Sequence, residues 1–168
     1  MIDNIEKELR KHRCCFTGHR PEKLHLSEDK IKELLRVAIK QAIHDGFITF
    51  ISGMARGIDM WAAEIVLEEK TKNNNLRLIC ASPVVGFEKL WNNIEKHRYE
   101  NILKQADLVK YISTHYYRGC YQMRNEWMVN HSHRVIAAYN GASGGTKNTI
   151  NYAKRMSVDI INILENIK

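Results

Sequence analysis

The sequence has few of the features that mark membrane, secreted or disulfide-bonded proteins. No apolar run is long enough to cross a bilayer, and the charged start MIDNIEKELRKHR contains no hydrophobic signal core. The four cysteines show no CxxC spacing, and three of them lie in or beside apolar segments, where free cysteine packs as a small hydrophobe. We therefore expect a reduced, cytoplasmic protein with no membrane partner.

Motifs for metal binding or nucleophilic catalysis are also weak. His131 and His133 have no third ligand at a defined spacing, and Cys120 has only nearby His115 and Arg118 in its favour as a nucleophile. No Ser-His-Asp or Cys-His arrangement can be assembled from the sequence. We expect no metal and no cofactor, and the sequence assigns no catalytic residue.

Linkers, internal repeats and low-complexity blocks are missing, and 168 residues suffice for one domain with a proper core but hardly for two. We therefore expect one domain over residues 1–168, in which residues 1–12 form an N-terminal extension. The formal net charge is +7 and the basic residues are spread along the chain. This charge favours anionic partners such as nucleotides, nucleic acid and phosphorylated metabolites.

Short apolar runs alternate with longer amphipathic ones, which is typical of strand–helix units on a parallel sheet. The pattern predicts strands over residues 13–17, 47–52, 76–82, 107–113, 134–139 and 158–161. Apolar residues at 31, 34, 35, 38, 39, 42 and 43 form one helix face, and that helix should stop at Asp45-Gly46. Further helices are predicted over 59–70, 87–105, 121–130 and 146–156. The predicted fold is α/β: a single Rossmann-like, doubly wound domain with a mostly parallel sheet, which binds ligands at the carboxyl ends of its strands.

The loop after the first strand contains a short polar motif at one of these carboxyl ends. Its glycine allows close approach of the backbone, its threonine can donate a hydrogen bond, and its arginine can clamp a phosphate. On its own, the motif is also compatible with an ordinary tight turn after a strand, with an exposed arginine. The candidate ligand-binding residues are Thr17, Gly18, His19 and Arg20.

The loop after the second strand reads SGMARGID and has two glycines, which would present backbone N–H groups and a helix N-terminus to an anion. Asp59 has two competing roles, capping the helix or accepting hydrogen bonds from a ribose or base. Arg56 is either a ligand contact or a solvated loop residue, and Trp61 is expected to pack in the core. The candidates here are Ser52, Gly53, Met54, Arg56, Gly57 and Asp59.

The loop after the fifth strand combines two hydroxyls and two unhindered amides at a helix N-terminus, which is chemistry suited to phosphate. It matches neither the Walker A nor the GxGxxG pattern, and a flexible glycine turn is the ordinary alternative. The candidates are Ser143, Gly144, Gly145 and Thr146.

Together the three loops resemble the SLOG superfamily, the Rossmann-like group that includes DprA, the LOG phosphoribohydrolases and YpsA-like proteins. Residues 52–59 are similar to the DprA signature loop, and residues 143–149 resemble its later glycine loop. The Thr-Gly-His-Arg-Pro motif at residues 17–21 resembles the YpsA-like branch, including its prophage-encoded relatives.

The resemblance implies several activities. MRNEWM at residues 123–128 resembles the arginine-bearing helix of LOG enzymes, so Arg124 is a candidate phosphate or ribose contact. The glutamate that LOG enzymes carry after their glycine loop is absent, since this chain reads KNTIN at residues 147–151; Glu126 and Glu64 are weak substitutes. The DprA-like loops imply single-stranded nucleic-acid binding, for which the aromatic run at 111–121 supplies stacking groups or a lid.

Three hypotheses follow from the residues and the resemblance. The first is binding of a nucleotide or nucleotide-derived small molecule, of the ADP-ribose or NAD type, for sensing or sequestration. The second is an N-glycosidase or phosphoribohydrolase-like enzyme acting on a nucleotide, and the third is DprA-like binding of single-stranded DNA. The resemblance also suggests a homo-oligomer.

Overall fold

The computed structural model describes residues 1–167, which form six parallel strands and six α-helices in near-perfect alternation. The strands are β1 (Arg13–Gly18), β2 (Thr49–Ser52), β3 (Arg77–Val84), β4 (Leu108–Ser113), β5 (Arg134–Ala138) and β6 (Asp159–Asn162). The helices are α1 (Ile2–Arg10), α2 (Glu28–His44), α3 (Ile58–Lys70), α4 (Asn93–Gln105), α5 (Cys120–Asn130) and α6 (Gly145–Arg155). The predicted α/β, Rossmann-like fold is confirmed, and all the strand pairs are parallel.

The strand order β4-β3-β2-β1-β5-β6 places a topological switch between β1 and β5. Their register pairs Cys14 with Arg134 and Gly18 with Ala138, so both strands end at the same level of the sheet. The chain leaves β1 toward a helix on one face and leaves β5 toward a helix on the other face. A crevice therefore opens between the two exit loops, as it does in other doubly wound sheets.

Two hydrophobic layers cover the sheet. Cys14 and Phe16 of β1 pack on one face with residues of α2, α3 and α4, whereas Cys15 packs on the other face with residues of α5 and α6. This alternation is what the two-residue period of a strand requires. Trp61 is buried in the first layer, as predicted. The four cysteines are free thiols and all are buried.

Most of the N-terminal segment of residues 1–12 forms α1. Arg13 pairs with Glu6, and the Arg10 side chain donates to Ser132 O. One helix prediction needs correction. The helix predicted over 87–105 begins only at Asn93, because Asn92 caps it by accepting a hydrogen bond from Glu95 N. Residues 85–91 form turns instead.

Within residues 1–167, no helix is both long enough and apolar enough to cross a membrane.

Candidate ligand-binding site in the β1/β5 crevice

A cavity of about 330 Å³ occupies the switch point. Three exit loops and the first turns of α5 and α6 form its walls. Ten of the fifteen candidate residues line it: Thr17, Gly18, His19, Arg20, Arg56, Asp59, Arg124, Gly144, Gly145 and Thr146. The other five candidates are close in sequence to lining residues but do not line the cavity themselves: Ser52, Gly53, Met54, Gly57 and Ser143.

Ser52 and Met54 support the second loop from inside the protein. The Ser52 hydroxyl donates to the backbone oxygen of Asp59 at 2.8 Å and accepts from Met54 N at 3.2 Å. Met54 is fully buried with a positive φ of 62°, an uncommon conformation for a residue with a side chain. These contacts hold the loop in the shape that directs Asp59 toward the crevice.

Gly53 is needed for a close approach of two charged side chains. A Cβ atom there would lie 2.8 Å from Asp59 Oδ2 and 2.9 Å from Arg124 Nη1. The Arg124 Nη1 group also donates to Gly53 O. Glycine at this position therefore lets α5 bring its arginine against the end of β2.

Gly18 serves a comparable purpose at the end of β1. A Cβ at this position would lie 2.4 Å from Cγ1 of Ile58, the first residue of α3. The strand end and the helix start can pack this closely only because the side chain is missing. This packing brings the first two loops to the same side of the crevice.

Asp59 and Arg124 are both almost completely buried at the crevice wall. Burial raises the pKa of Asp59 to about 6, although the nearby Arg124 charge and the hydrogen bond from Ala55 N act in the opposite direction. The helix cap at α3 is Gly57, and the Asp59 carboxylate bonds back to the loop instead. The capping role considered for Asp59 is therefore wrong.

The first turn of α6 faces the cavity without side-chain obstruction. Gly144 is the N-cap and provides no side-chain hydrogen bond, and a Cβ on Gly145 would meet no atom within 4 Å. The amides of Gly145, Thr146 and Lys147 have no hydrogen-bond acceptor among residues 1–167. The first turn of α6 also contains no acidic side chain to balance the positive end of the helix dipole. Such a terminus is suited to an anion.

His19 is 4 % exposed and lines the same cavity. Its backbone N–H donates to Ala138 O at 3.2 Å, which ties the β1 exit loop to β5, and its ring packs on Tyr139. Burial, followed by the charge of Lys23, lowers the pKa of the imidazole and so favours its neutral form. Its Nε2 atom is buried and has no hydrogen-bond partner in the described chain.

Cationic side chains outnumber anionic ones around the cavity. Arg20, Lys23, Arg56 and Arg124 all line it, against the single carboxylate of Asp59. Arg56 has a distant contact of 3.9 Å with Glu22 at the rim. The two proposed substitutes for a LOG-type glutamate lie elsewhere: Glu64 pairs with Arg98 at 2.7 Å, and Glu126 accepts from Gln122.

Sequence reasoning did not assign Phe87 to the site, and it considered Tyr121 only within the aromatic run at 111–121; both line the cavity. Phe87 was placed inside a helix, whereas it lies in the turn that precedes α4. The signal that could have identified this turn was Asn92 three residues before Glu95, a common pattern at helix starts. Within residues 1–167, no group of three or more His, Cys, Asp or Glu side chains could hold a metal ion.

The sequence pattern of the YspA SLOG family matches residues 14–162, which includes all three exit loops and, apart from Arg13, every residue of the six strands. The chain belongs to this family. A relative in Bacillus subtilis, the uncharacterized SPbeta prophage-derived protein YoqJ, is 33% identical over 139 residues, covering 75% of this chain and 81% of YoqJ. A UPF0398 protein of Staphylococcus epidermidis is 26% identical over 132 residues, covering 74% of this chain and 70% of the relative.

Among solved structures, this SLOG chain is similar to DNA processing protein A from Helicobacter pylori, a structure that addresses its single-stranded DNA binding mode. The TM-score is 0.62 at 17% identity, and the match covers 94% of this chain and 67% of the other. At this identity the similarity shows a shared fold, in agreement with the sheet described above.

Proposed function

We propose that this SLOG protein binds a nucleotide or nucleotide-derived ligand of the ADP-ribose or NAD type, for sensing or sequestration, with a phosphate group in the β1/β5 crevice. The observation that carries the proposal is the open first turn of α6. Its first three amides have no partner in the described chain, and Gly145 and Thr146 line a cavity that four cationic side chains also line. Helix N-termini bind phosphate through their free amides, and arginine side chains bind it through charge-assisted hydrogen bonds.

The other groups in the crevice support a nucleotide over a simple phosphate. The unpaired Nε2 of His19 can bond a ribose hydroxyl or a phosphate oxygen, and the Asp59 carboxylate can accept a hydrogen bond from a ribose hydroxyl. The cavity volume of about 330 Å³ is at the lower end of the range for small-molecule sites. This space suits the ribose-phosphate part of a nucleotide.

The proposal is tested by measuring the binding of AMP, ADP-ribose and NAD to wild type and to Gly145→Glu, by thermal shift and by calorimetry. The substituted side chain enters open space and places a carboxylate at the α6 terminus, so ligand affinity should fall by at least ~100-fold. For wild type, a ligand at ~100 times its dissociation constant adds ~2.7 kcal/mol and should raise the Tm by several degrees.

Asn148→Glu is the matched control, because it adds the same charge to an exposed position of α6 that does not line the cavity. It should bind as wild type does. Unchanged affinity in Gly145→Glu, with a normal melting curve, would refute the crevice as the ligand site.

A hydrolytic role is the second candidate, and the buried carboxyl of Asp59 favours it. A pKa of about 6 beside Arg124 in a cavity is the environment that acid–base residues often have. On this hypothesis Asp59 would replace the missing LOG-type glutamate and assist cleavage of an N-glycosidic bond by water. Recovery of intact ADP-ribose and AMP after prolonged incubation with the protein would count against it.

Single-stranded DNA binding is the third candidate. It is supported by the net charge of +7 and by the fold shared with DNA processing protein A from Helicobacter pylori, which is described by its single-stranded DNA binding. A chain of contacts along a DNA backbone loses affinity steeply with added salt, whereas a single phosphate pocket does so weakly.

A further inference from the structure

A second cavity, of about 730 Å³, adjoins the crevice. We call it the aromatic groove and define it by Phe87, Trp91, Tyr116 and Tyr121, which lie in its lining. The two cavities share the lining residues Arg20, Ala55, Arg56, Phe87 and Tyr121. The groove and the crevice are therefore neighbouring parts of one continuous depression at the carboxyl edge of the sheet.

The four aromatic rings form a connected row. Phe87 contacts Trp91 and Tyr121 edge to face, with centroids 5.1 and 5.4 Å apart, and Tyr121 contacts Tyr116 at 6.1 Å. Arg124 of the crevice lies over the Phe87 ring at 5.9 Å. The row thus runs from Trp91 through Phe87, which lies beside the buried arginine of the crevice, to Tyr116, whose side chain is largely exposed.

Exposure of so much aromatic surface is costly for a groove that stays in water, and it needs an explanation. Trp91 is partly exposed, Tyr121 is 41% exposed and Tyr116 is 69% exposed. The charged residues of the groove lining are Arg20, Arg56 and Lys89, and no Asp or Glu lines it. Arg20 and Arg56 lie where the crevice meets the groove, and the aromatic rings lie beyond them. This arrangement is complementary to a ligand in which a phosphate is followed by a planar ring.

We propose that the aromatic groove binds the nucleobase of the same ligand whose phosphate lies in the crevice. The inference rests on the proposed function and names its ligand class: a small nucleotide that carries a base on a ribose-phosphate, read by stacking rather than by hydrogen bonds to the edge of the base. Stacking on aromatic side chains tolerates any base because every base has a π face. The groove therefore sets affinity, and the crevice sets the requirement for phosphate.

The test compares ADP-ribose, which has a base, with ribose 5-phosphate, which has none. Tyr116→Ala removes a ring that lines only the groove, so ADP-ribose should bind ~5- to 100-fold more weakly while ribose 5-phosphate binds as before. Tyr117→Ala is the matched control: Tyr117 is in the same loop and exposed, but it does not line the groove. Both ligands should bind this variant as they bind wild type.

Tryptophan fluorescence gives a second readout that does not depend on affinity. A base stacked near Trp91 should quench wild-type emission, whereas ribose 5-phosphate should leave it unchanged. In Trp91→Phe, which keeps an aromatic face, ADP-ribose should still bind but the quenching should disappear. Trp61 is buried and Trp127 packs on His131, away from the groove, so both serve as internal references.

Equal affinity of wild type for ADP-ribose and ribose 5-phosphate, or an unchanged ADP-ribose affinity in Tyr116→Ala, would overturn the base site while leaving the phosphate site intact. Failure of wild type to bind either probe would instead refute the proposed function itself. A short oligodeoxythymidylate that binds while ADP-ribose does not would also overturn the inference, because it would assign the aromatic row to a nucleic-acid strand.

Discussion

Asp59 and Arg124 illustrate how one residue pair can serve both the fold and the site. Both side chains are buried at the wall of the crevice, and both occupy space that a side chain at position 53 would need, which is why Gly53 is a glycine. Burial of ions is unfavourable unless they are paired and hydrogen-bonded, and here it raises the pKa of Asp59 while lowering that of Arg124. Both charged groups thus line the cavity, where a ligand can contact them, although their burial is unfavourable.

The raised pKa of Asp59 has a consequence for stability. Between the ordinary value of 3.8 and about 6, the folded state binds a proton at Asp59 that the unfolded state has released, so this group makes the protein less stable as pH rises through that range. Asp59→Asn removes the effect. The stability of the variant relative to wild type should increase by up to ~3 kcal/mol between about pH 4 and pH 7, measured by urea unfolding.

Asp107→Asn provides a control of opposite sign. Although burial alone would raise the pKa of Asp107, hydrogen bonds from Lys70 and from Leu78 N lower it overall. Wild type should therefore gain stability relative to this variant as pH rises through the acidic range. A stability difference between Asp59→Asn and wild type that stays constant over the whole pH range would contradict a raised pKa at Asp59.

The residues of the site differ in how well the sequence predicts them. Some glycines and hydroxyls of the exit loops, such as Gly18 and Thr146, were predictable because they follow apolar runs and the carboxyl ends of parallel strands meet at one edge of the sheet. Burial of His19 was not, since it depends on Tyr139, a residue 120 positions away that only the β1–β5 pairing brings close. Likewise, Gly53 was predicted to present its amide to a ligand, whereas the structure places it between two charged side chains.

At the scale of elements, the boundary of α4 shows the limit of periodicity. Residues 87–105 contain apolar and aromatic groups at helical spacing, and the pattern favoured one long helix. Phe87 and Trp91 instead pack on each other and on Tyr121 and Tyr99, which are separated from them in sequence. The Asn92 cap starts α4 after this segment, and the aromatic contacts pack the segment as a turn that provides a wall of both cavities.

The first helix permits a prediction about an element remote from the site. No residue of α1 is buried, and its attachments include the Arg13–Glu6 ion pair and the Arg10–Ser132 hydrogen bond, at the amino ends of the strands. Deletion of residues 1–10 should lower the Tm by only a few degrees, since such contacts contribute ~1 kcal/mol each. Affinity for ADP-ribose, measured by calorimetry, should stay within ~2-fold of wild type.

Glu6→Gln in the full chain isolates the ion pair and should account for part of the Tm change. A deletion variant that melts as wild type does yet binds ADP-ribose more than tenfold more weakly would show that α1 acts on the crevice, against the placement described here.

At the scale of the whole molecule, the order of the strands determines where chemistry can occur. The sequence predicted six strands along the chain, but it contains no local signal for their order in the sheet, in which β1 lies between β2 and β5. That arrangement follows from right-handed crossovers and from which faces the helices must cover. The crevice, which needs the β1 and β5 exits side by side, is therefore a property of the complete sheet.

The distribution of charge over the molecule separates a small-ligand pocket from a nucleic-acid track. The excess of 26 Lys and Arg over 19 Asp and Glu is spread along the chain, whereas the site gathers four cations around one cavity. A ligand with about two phosphates should lose less than tenfold in affinity between 50 and 200 mM salt, while an oligonucleotide that contacts six or more phosphates should lose a few hundredfold.

Titrations of ADP-ribose and a short oligodeoxythymidylate at several salt concentrations measure both slopes on the same protein. The proposed function requires a shallow slope for ADP-ribose and the loss of its binding in Gly145→Glu at every salt concentration. A steep slope for the oligonucleotide, unchanged by Gly145→Glu, would place its contacts outside the crevice, because a bound strand that used the α6 terminus would meet the introduced carboxylate.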